Sequence, residues 1–253
     1  MTKTFIRALW GECFGSNTTN PRPSKMLDDI LSNQKSEIHF VVYTFGLSNH
    51  AKLSEMGFTS KLICEEMQKW NMKLELYRHK LEILKHAMMD YDEIVYLDWD
   101  CKLIKPFPDN FWDILAKGDS FQANLFQYRT KKCLWRRTDH RKTCNGGFIY
   151  MRDKSIPDKL IQNWENLKKW VEEQKRKRQE RGLDLRFRET SLIFDDEPAM
   201  SMYVDAQMGE WKGVAEYWNR FEPKVCVLNK KSAYSEVENE SKPYCFKHFI
   251  NKA

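Results

Sequence analysis

The chain is predicted to fold as an α/β domain whose central sheet is mixed but mostly parallel and is flanked by helices. Short runs rich in Val, Ile, Tyr and Phe alternate with longer segments whose apolar residues recur at helical spacing. With 253 residues, 42% of them hydrophobic, the chain is long enough to bury a substantial core. It contains no internal repeat and no clear linker, so a single domain over residues 1–253 is predicted.

The first half is predicted to hold most of the parallel strands. Strands are expected at residues 5–10, 38–45, 60–64 and 94–98, and helices at 25–31, 49–56 and 74–89, with a loop over 15–23. In the last of these helices Leu76, Leu81, Leu84 and Met88 form a stripe that should face the core. This half covers about residues 1–105.

The second half covers about residues 106–253. Pro106 and Pro108 interrupt the chain. Helices are predicted at 110–116, 156–180 and 197–205, strands at 120–128, 147–151 and 224–228, and a closing segment at 244–250. Leu160, Trp164 and Leu167, with Val171, lie on one side of the long helix and should pack inward.

The sequence argues against a membrane-spanning protein, a protein with a signal peptide and a protein built on disulfides or a zinc cluster. No stretch approaches the ~20 apolar residues that span a bilayer, and the N-terminus lacks the apolar region of a signal peptide. Seven cysteines without a Cys-x-x-Cys motif indicate neither a disulfide framework nor a zinc cluster. We therefore expect a cytoplasmic protein without a transmembrane segment.

The charge pattern does not predict nucleic-acid binding. The net charge is +6, and much of the excess lies in residues 168–188. A run of this kind is typical of a solvated helix face or a mobile loop. No groove-reading or stacking residues accompany it.

Asp98 and Asp100 follow directly on the apolar run Ile94-Val95-Tyr96-Leu97. A strand that ends there would deliver both carboxylates to one point on the surface. Carboxylate oxygens suit Mg²⁺ or Mn²⁺, and these ions keep positions open for substrate phosphates. The pattern therefore predicts a metal site for a nucleoside diphosphate.

A second Asp-x-Asp, Asp90-Tyr91-Asp92, shows how weak the bare motif is. It follows an amphipathic segment and is predicted to be a solvated helix end.

Ligands of parallel α/β sheets bind outside the carboxyl ends of the strands, where the strand order reverses. Trp10-Gly11, Tyr43-Thr44 and Asp98-Trp99-Asp100 are all expected at such ends. Trp10 and Tyr43 could hold a base or ribose there, or could belong to the core.

These motifs, in this order, resemble the GT-A glycosyltransferases of the glycogenin and bacterial galactosyltransferase type. The resemblance is carried by Tyr77-Arg78-His79-Lys80-Leu81-Glu82, Tyr96-Leu97-Asp98-Trp99-Asp100, Cys144-Asn145-Gly146-Gly147-Phe148, Asp195-Asp196-Glu197 and Lys242-Pro243-Tyr244-Cys245-Phe246-Lys247-His248. The chain is also similar to glycosyltransferases encoded by large algal viruses, which would act in a host cytoplasm.

The resemblance implies a single GT-A, Rossmann-like domain over residues 1–253, with a nucleotide-binding half at about 1–105 and an acceptor-side half at about 106–253. Such a domain transfers a sugar from a nucleoside diphosphate sugar, expected to be a UDP-sugar, to a glycan, glycoprotein or other hydroxyl acceptor. The resemblance also implies Mn²⁺ or Mg²⁺ bound by Asp98, Asp100 and His248, and catalytic carboxylates at Asp196 and Glu197. The expected nucleotide and donor contacts are Ala8, Leu9, Trp10, Tyr43, Arg78, Lys80, Asp98, Trp99, Asn145, Gly146 and Gly147.

Several alternatives stay open at this point. Lys80 or Arg78 could contact the donor, or both could lie on a solvated helix face. Asp196 and Glu197 could instead favour the start of a helix through its dipole. The two glycines could allow close approach to a ligand or form a tight turn before a strand.

Two other functions compete with glycosyl transfer. A nucleotidyltransferase acting on sugar phosphates also uses paired carboxylates at strand ends, but residues 11–24 form no convincing phosphate loop. A non-enzymatic protein could bind polyanions through residues 168–188.

Overall fold

The computed structural model describes residues 1–9, 38–66, 73–99, 101–103, 106, 108–127, 142–182, 196–208, 227–229 and 246–248. Among these residues the strands and helices, in chain order, are β1 (Lys3–Leu9), β2 (Phe40–Phe45), α1 (Leu47–Glu55), β3 (Ser60–Cys64), α2 (Lys73–Asp90), β4 (Glu93–Leu97), β5 (Cys101–Leu103), α3 (Phe111–Ala116), β6 (Phe121–Gln127), β7 (Lys142–Met151), α4 (Ile156–Glu180), α5 (Glu197–Met208), β8 (Val227–Asn229) and β9 (Phe246–His248).

A six-stranded sheet in the order β3-β2-β1-β4-β7-β6 forms the centre of the fold. Strands β3, β2, β1 and β4 are parallel, and β7 is antiparallel to both β4 and β6, so only β7 runs in the opposite direction. The strand order reverses between β1 and β4. The predicted mixed, mostly parallel sheet flanked by helices is confirmed, and its arrangement is Rossmann-like.

Helices cover both faces of this sheet because alternate strand residues bury apolar side chains on each side. One core lies under α2, α4 and α5 and includes Leu81, Leu84, Trp164 and Met200. The other lies under α1 and α3 and is lined by residues such as Phe5, Leu53, Val95, Phe111 and Tyr150. The predicted inward stripe of α2 is confirmed at Leu81, Leu84 and Met88, and that of α4 at Leu160, Trp164 and Leu167; the side chains of Leu76 and Val171 lie outside the description.

Strand β7 is longer than predicted and carries an irregularity. Its pairing with β6 moves from Ala123 opposite Ile149 to Asn124 opposite Asn145, so that residues 146–148 are extra on β7. Bulges of this kind are often found beside functional sites, where they redirect the chain. The two glycines therefore lie within a strand, not in a turn before it, and neither has positive φ.

A small second sheet, in the order β5-β9-β8, was not predicted as such. Its pairing sets Cys101 opposite His248. The late segment of the chain thereby returns to the residue that follows Asp100.

One predicted element, the helix at 25–31, lies outside the described residues. Asp90 is the last residue of α2, as predicted for a helix end, and its carboxylate accepts hydrogen bonds from Tyr43 and Lys61. Asp92 accepts one from the Thr2 backbone.

Within the basic run, Arg176 pairs with Glu173 and Glu180 on the exposed surface of α4. None of the described helices is both long and apolar enough to cross a membrane.

Candidate strand-end site

The ammonium group of Lys80 is the centre of a buried polar cluster beyond the carboxyl end of β4. Its Nζ lies 3.1 Å from Asp98 Oδ1 and 3.0 Å from Asp196 Oδ2. It also donates to the carbonyl oxygen of Gly146 at 3.3 Å. These groups come from helix α2, from the residue that follows β4, from strand β7 and from the residue that precedes α5.

Burial makes this cluster unusual among the ion pairs of the protein. The side chains of Lys80 and Asp196 are only 4% and 2% exposed, whereas that of Asp98 is 28% exposed. Buried charges are tolerated when they are paired and hydrogen-bonded. Of the two carboxylates, Asp98 is thus the one that solvent or a ligand can reach.

Tyr96 orients the accessible carboxylate. Its hydroxyl donates to Asp98 Oδ1 at 2.5 Å, and the Lys80 ammonium lies 5.1 Å from the centre of its ring. Burial, followed by the charge of Asp98, raises the pKa of Tyr96 well above its usual value. The hydroxyl therefore stays protonated and remains a donor to Asp98.

Gly146 is required by the close approach of β7 to the ion pair. A Cβ added there would collide with Asp196 Oδ2 and would lie 2.8 Å from Lys80 Nζ. The sequence motif predicted a close approach to a ligand. The structure shows a close approach to the charged side chains of the site, and approach to a ligand stays a prediction.

Arg7 completes the site and was missed by the sequence analysis. It lies in β1 with 1% of its surface exposed. Its guanidinium donates to the carbonyl oxygens of Asp98, at 2.9 Å, and Cys101, at 3.2 Å. In the sequence, an arginine between apolar strand residues has the pattern of an ordinary exposed position. Only the approach of residues 98 and 101 to β1 shows that its guanidinium binds their backbone.

The metal ligands predicted from the sequence are only partly within the description. Asp100 lies outside the described residues, and of His248 only the backbone placement is described, opposite Cys101. Among the side chains that are described, no group of three His, Cys, Asp or Glu residues converges on a common point. The carboxylate of Asp98 is already bonded to Tyr96 and Lys80.

Several predicted nucleotide contacts are instead occupied in packing. Trp99 is buried, and its indole Nε1 donates to the carbonyl oxygen of Ala8 at 2.5 Å. Tyr43 is buried, and its hydroxyl donates to Asp90 at 2.5 Å. Ala8 and Leu9 are buried residues of β1. The polar ends of Trp99 and Tyr43 are thus bonded within the fold, and their contact with a nucleotide stays a prediction; Trp10 lies outside the described residues.

Lys80 and Arg78 have different surroundings in the structure. Arg78 pairs with Glu82 and, across to α4, with Glu165. It does not belong to the described cluster, so it is not supported as a donor contact. Asn145 and Gly147 lie in β7, and the carbonyl of Gly147 accepts from the Asp98 backbone N–H at 2.9 Å.

The two predicted catalytic carboxylates, Asp196 and Glu197, differ in their burial and in their partners. Asp196 is buried against Lys80, whereas Glu197 is half-buried in the first turn of α5. The carbonyl of Glu197 accepts from Ser201, whose hydroxyl in turn accepts from the backbone N–H of Cys144. This pair of bonds joins α5 to β7.

Comparisons with known proteins give little beyond this geometry. No protein-family model matches the chain, and no curated protein matches it. Among solved structures, it is similar to one described as a glucose-1-phosphate thymidylyltransferase from Bacillus anthracis in complex with a sucrose. That likeness has 9% identity and a TM-score of 0.37, and covers 62% of this chain and 74% of the other. A similarity of this size does not discriminate among activities.

Proposed function

We propose that the protein is a metal-dependent glycosyltransferase of the GT-A type that uses a nucleoside diphosphate sugar, with UDP as the expected nucleotide. The observation that carries the proposal is the Lys80 cluster. It places a buried cation and two carboxylates beyond the end of β4, beside the reversal of strand order where ligands of such sheets bind.

The described residues suit recognition of a diphosphate sugar. Asp98 offers a partly exposed carboxylate that can accept hydrogen bonds from ribose or sugar hydroxyls. Lys80 can turn one of its three N–H donors towards a donor-sugar or phosphate oxygen while the others keep Asp196 and Gly146 in place. Fixed donors of this kind stabilise charge as it develops on a leaving group.

A divalent cation, Mn²⁺ or Mg²⁺, would be held by Asp100 and His248 with Asp98 beside them, and would neutralise the departing diphosphate. The pairing of Cys101 with His248 supports this set, because it returns the late histidine to the residue after Asp100. The acceptor would be a glycan, a glycoprotein or another hydroxyl compound.

Asp196 is the better supported of the two catalytic carboxylates. Asp196 and Asp98 pair with the same ammonium group, that of Lys80. A change in the charge of Asp196 would therefore change the electrostatic environment of the donor site. We expect Asp196→Asn to reduce turnover by at least about a hundredfold. Glu197→Gln should have a much smaller effect on turnover. Equal losses of turnover in both variants would leave Asp196 and Glu197 equally supported as the catalytic carboxylate.

Product analysis tests the reaction type. The purified protein is incubated with a panel of nucleotide sugars and Mn²⁺, and the products are separated by ion-exchange chromatography. Glycosyl transfer, to water in the absence of acceptor, releases a nucleoside diphosphate. Release of pyrophosphate from nucleoside triphosphate and sugar phosphate would instead identify a nucleotidyltransferase.

Matched variants tie that activity to the site. Asp98→Asn should abolish hydrolysis of the donor, whereas Asp113→Asn should leave it unchanged because the Asp113 side chain is 74% exposed on α3. Salt-sensitive binding to polyanions without any metal-dependent turnover would support the non-enzymatic alternative.

A further inference from the structure

Arg7 is a charged residue set into an apolar face of the sheet. Strand alternation puts it on the same side as Phe5 and Leu9, within the core that also contains Phe40 and Trp99. Its guanidinium carbon lies 5.0 Å from the ring centre of Phe40 and 5.0 Å from that of Trp99. The guanidinium is therefore packed between two aromatic rings.

The hydrogen bonds of Arg7 span the segment that carries the predicted metal ligand. One nitrogen, Nη1, donates to the carbonyl of Asp98 and the other, Nη2, to that of Cys101. These carbonyls flank Trp99 and Asp100 in the sequence. The Cys101 N–H donates back to the Asp98 carbonyl at 2.9 Å, which closes the segment into a turn.

Further contacts fix the same turn from its sides. The Trp99 indole donates to the Ala8 carbonyl in β1, one residue after Arg7. The Asp98 backbone N–H donates to the Gly147 carbonyl in β7. Strands on both sides of β4 thus hold the turn, and the two side-chain bonds of Arg7 tie both of its ends to β1.

We propose that Arg7 is a positioning residue: its planar fork fixes the carbonyls of Asp98 and Cys101 at the two ends of the turn and thereby sets the direction in which Asp98 faces a metal-bound nucleoside diphosphate. This inference rests on the proposed function for its ligand, but its effect on the turn can be measured without any ligand.

The chemistry of arginine explains why this residue type is needed. A guanidinium presents donors in a fixed plane and can bond two carbonyls at once, whereas lysine is a point charge on a flexible stem. Burying a charge costs free energy, and an apolar residue of similar size would pack between the same rings at no such cost. A buried arginine here is therefore better explained by its two directed bonds than by packing.

Two variants test the proposal. Arg7→Lys keeps the positive charge but loses the planar pair of guanidinium donors. Arg7→Met keeps much of the apolar volume but loses both the charge and the donors. Arg152→Met is the matched control, because Arg152 donates to a single carbonyl, that of Gly118, on the exposed surface. Circular dichroism and thermal unfolding establish which variants fold.

Amide hydrogen exchange of the Cys101 N–H is the direct readout of the turn. In the ligand-free protein we expect exchange to rise at least about tenfold in Arg7→Lys and more in Arg7→Met, as loss of a charge-assisted hydrogen bond implies. Amides of β2 should keep their protection. The control variant should match the wild type at both places.

Calorimetry of UDP binding in Mn²⁺ is the second readout. Folded Arg7 variants should bind UDP with Mn²⁺ at least about tenfold more weakly than wild type, whereas the control should not. Unchanged exchange and unchanged affinity in a folded Arg7 variant would overturn the proposal. So would global unfolding of both variants, which would make Arg7 a determinant of stability instead.

The two readouts separate this inference from the proposed function. If the wild type shows no Mn²⁺-dependent UDP binding, the proposed function fails. The Cys101 amide still reports in that case whether Arg7 holds the turn. If the wild type binds and only the Arg7 effect is missing, the positioning role alone is rejected.

Discussion

Lys80 has three N–H donors, and three acceptors from different parts of the chain surround it: Asp98, Asp196 and the Gly146 carbonyl. A buried ammonium group is stable only when it is satisfied in this way. The geometry makes the energetic roles of these residues strongly interdependent. Two predictions follow from that interdependence.

The first concerns Gly146. In Gly146→Ala the new methyl group would collide with the Asp196 carboxylate and crowd Lys80, so we expect a loss of about 1–3 kcal/mol in the free energy of unfolding together with loss of donor hydrolysis. Urea denaturation and the hydrolysis assay measure the two effects. Gly182→Ala, at an exposed helix end with φ of 64°, should cost about 1 kcal/mol and leave hydrolysis intact. Normal activity in Gly146→Ala would contradict the described packing.

The second concerns the coupling of Lys80 with Asp196. Lys80→Met leaves carboxylates without their cation, and loss of one partner of a buried pair costs about 3–5 kcal/mol. Adding Asp196→Asn should recover part of this, so a double-mutant cycle should show a coupling of at least about 1 kcal/mol. The exposed pair of Lys61 and Asp90, with side chains 39% and 38% exposed, should give less than about 1 kcal/mol. Additive effects at the buried pair would refute the assigned interaction.

At this scale the sequence predicted part of the site and missed the rest for identifiable reasons. The buried cluster unites Asp98, Lys80, Gly146 and Asp196, all of which the motifs had indicated. The sequence could not place Tyr43 and Trp99, because an aromatic residue at a strand end gives the same pattern whether it faces a ligand or the core. Only three-dimensional packing shows that their polar atoms are already bonded.

Among the elements, α4 supports the site indirectly by packing against α5, which begins with Glu197 directly after Asp196. Trp164 of α4 is buried in the core shared by these helices, whereas Trp170, nearly two turns further on, is 36% exposed. We expect Trp164→Ala to lower the free energy of unfolding by about 3–5 kcal/mol.

Trp170→Ala is the matched control for that change and should stay within about 0.5 kcal/mol of wild type. Chemical denaturation of both variants, followed by circular dichroism, provides the comparison. Similar losses in the two variants would show that α4 packs along more of its length than the structure indicates.

The contact of α2 with β2 and β3 predicts a pH effect. Partial burial raises the pKa of Asp90, but hydrogen bonds from Lys61 and Tyr43 outweigh this and lower it. A carboxyl group whose folded-state pKa is lowered stabilises the fold above its unfolded pKa, near 3.9, and loses that contribution as the pH falls through the folded value.

Asp90→Asn should therefore remove a small part of the acid-induced loss of stability below about pH 4, of less than about 1 kcal/mol because the pair is exposed. Denaturation of wild type and variant at neutral and acid pH measures this part. An identical pH profile for the two proteins would argue against the bonded arrangement, and Tyr43→Phe should give an intermediate profile.

The elements themselves were largely predictable where their signals are local. The strand at 60–64 and the helix at 156–180 agree with β3 and α4 at both ends, because turn residues and apolar spacing mark their limits. Strand β7 begins five residues earlier than predicted, at Lys142, since pairing with β6 extends it through polar residues. The sheet of β5, β9 and β8 joins short segments far apart in sequence, and no local pattern reveals such a pairing.

For the whole molecule, the alternation of strands and helices was enough to predict the Rossmann-like class, and the described sheet confirms it. The division into a nucleotide-binding half and an acceptor half stays a prediction, as do the donor and the metal. The order β3-β2-β1-β4 puts the strand ends that the motifs singled out along one edge of the sheet. That convergence is why the proposed ligand site lies there.

Titration calorimetry with UDP, in the presence and absence of Mn²⁺, tests the central claim most directly. The metal should strengthen UDP binding to the wild-type protein at least about tenfold, and Asp100→Ala should abolish this gain while Asp113→Asn keeps it. Equal, metal-independent affinity in all three proteins would contradict a metal-assisted diphosphate site at the end of β4.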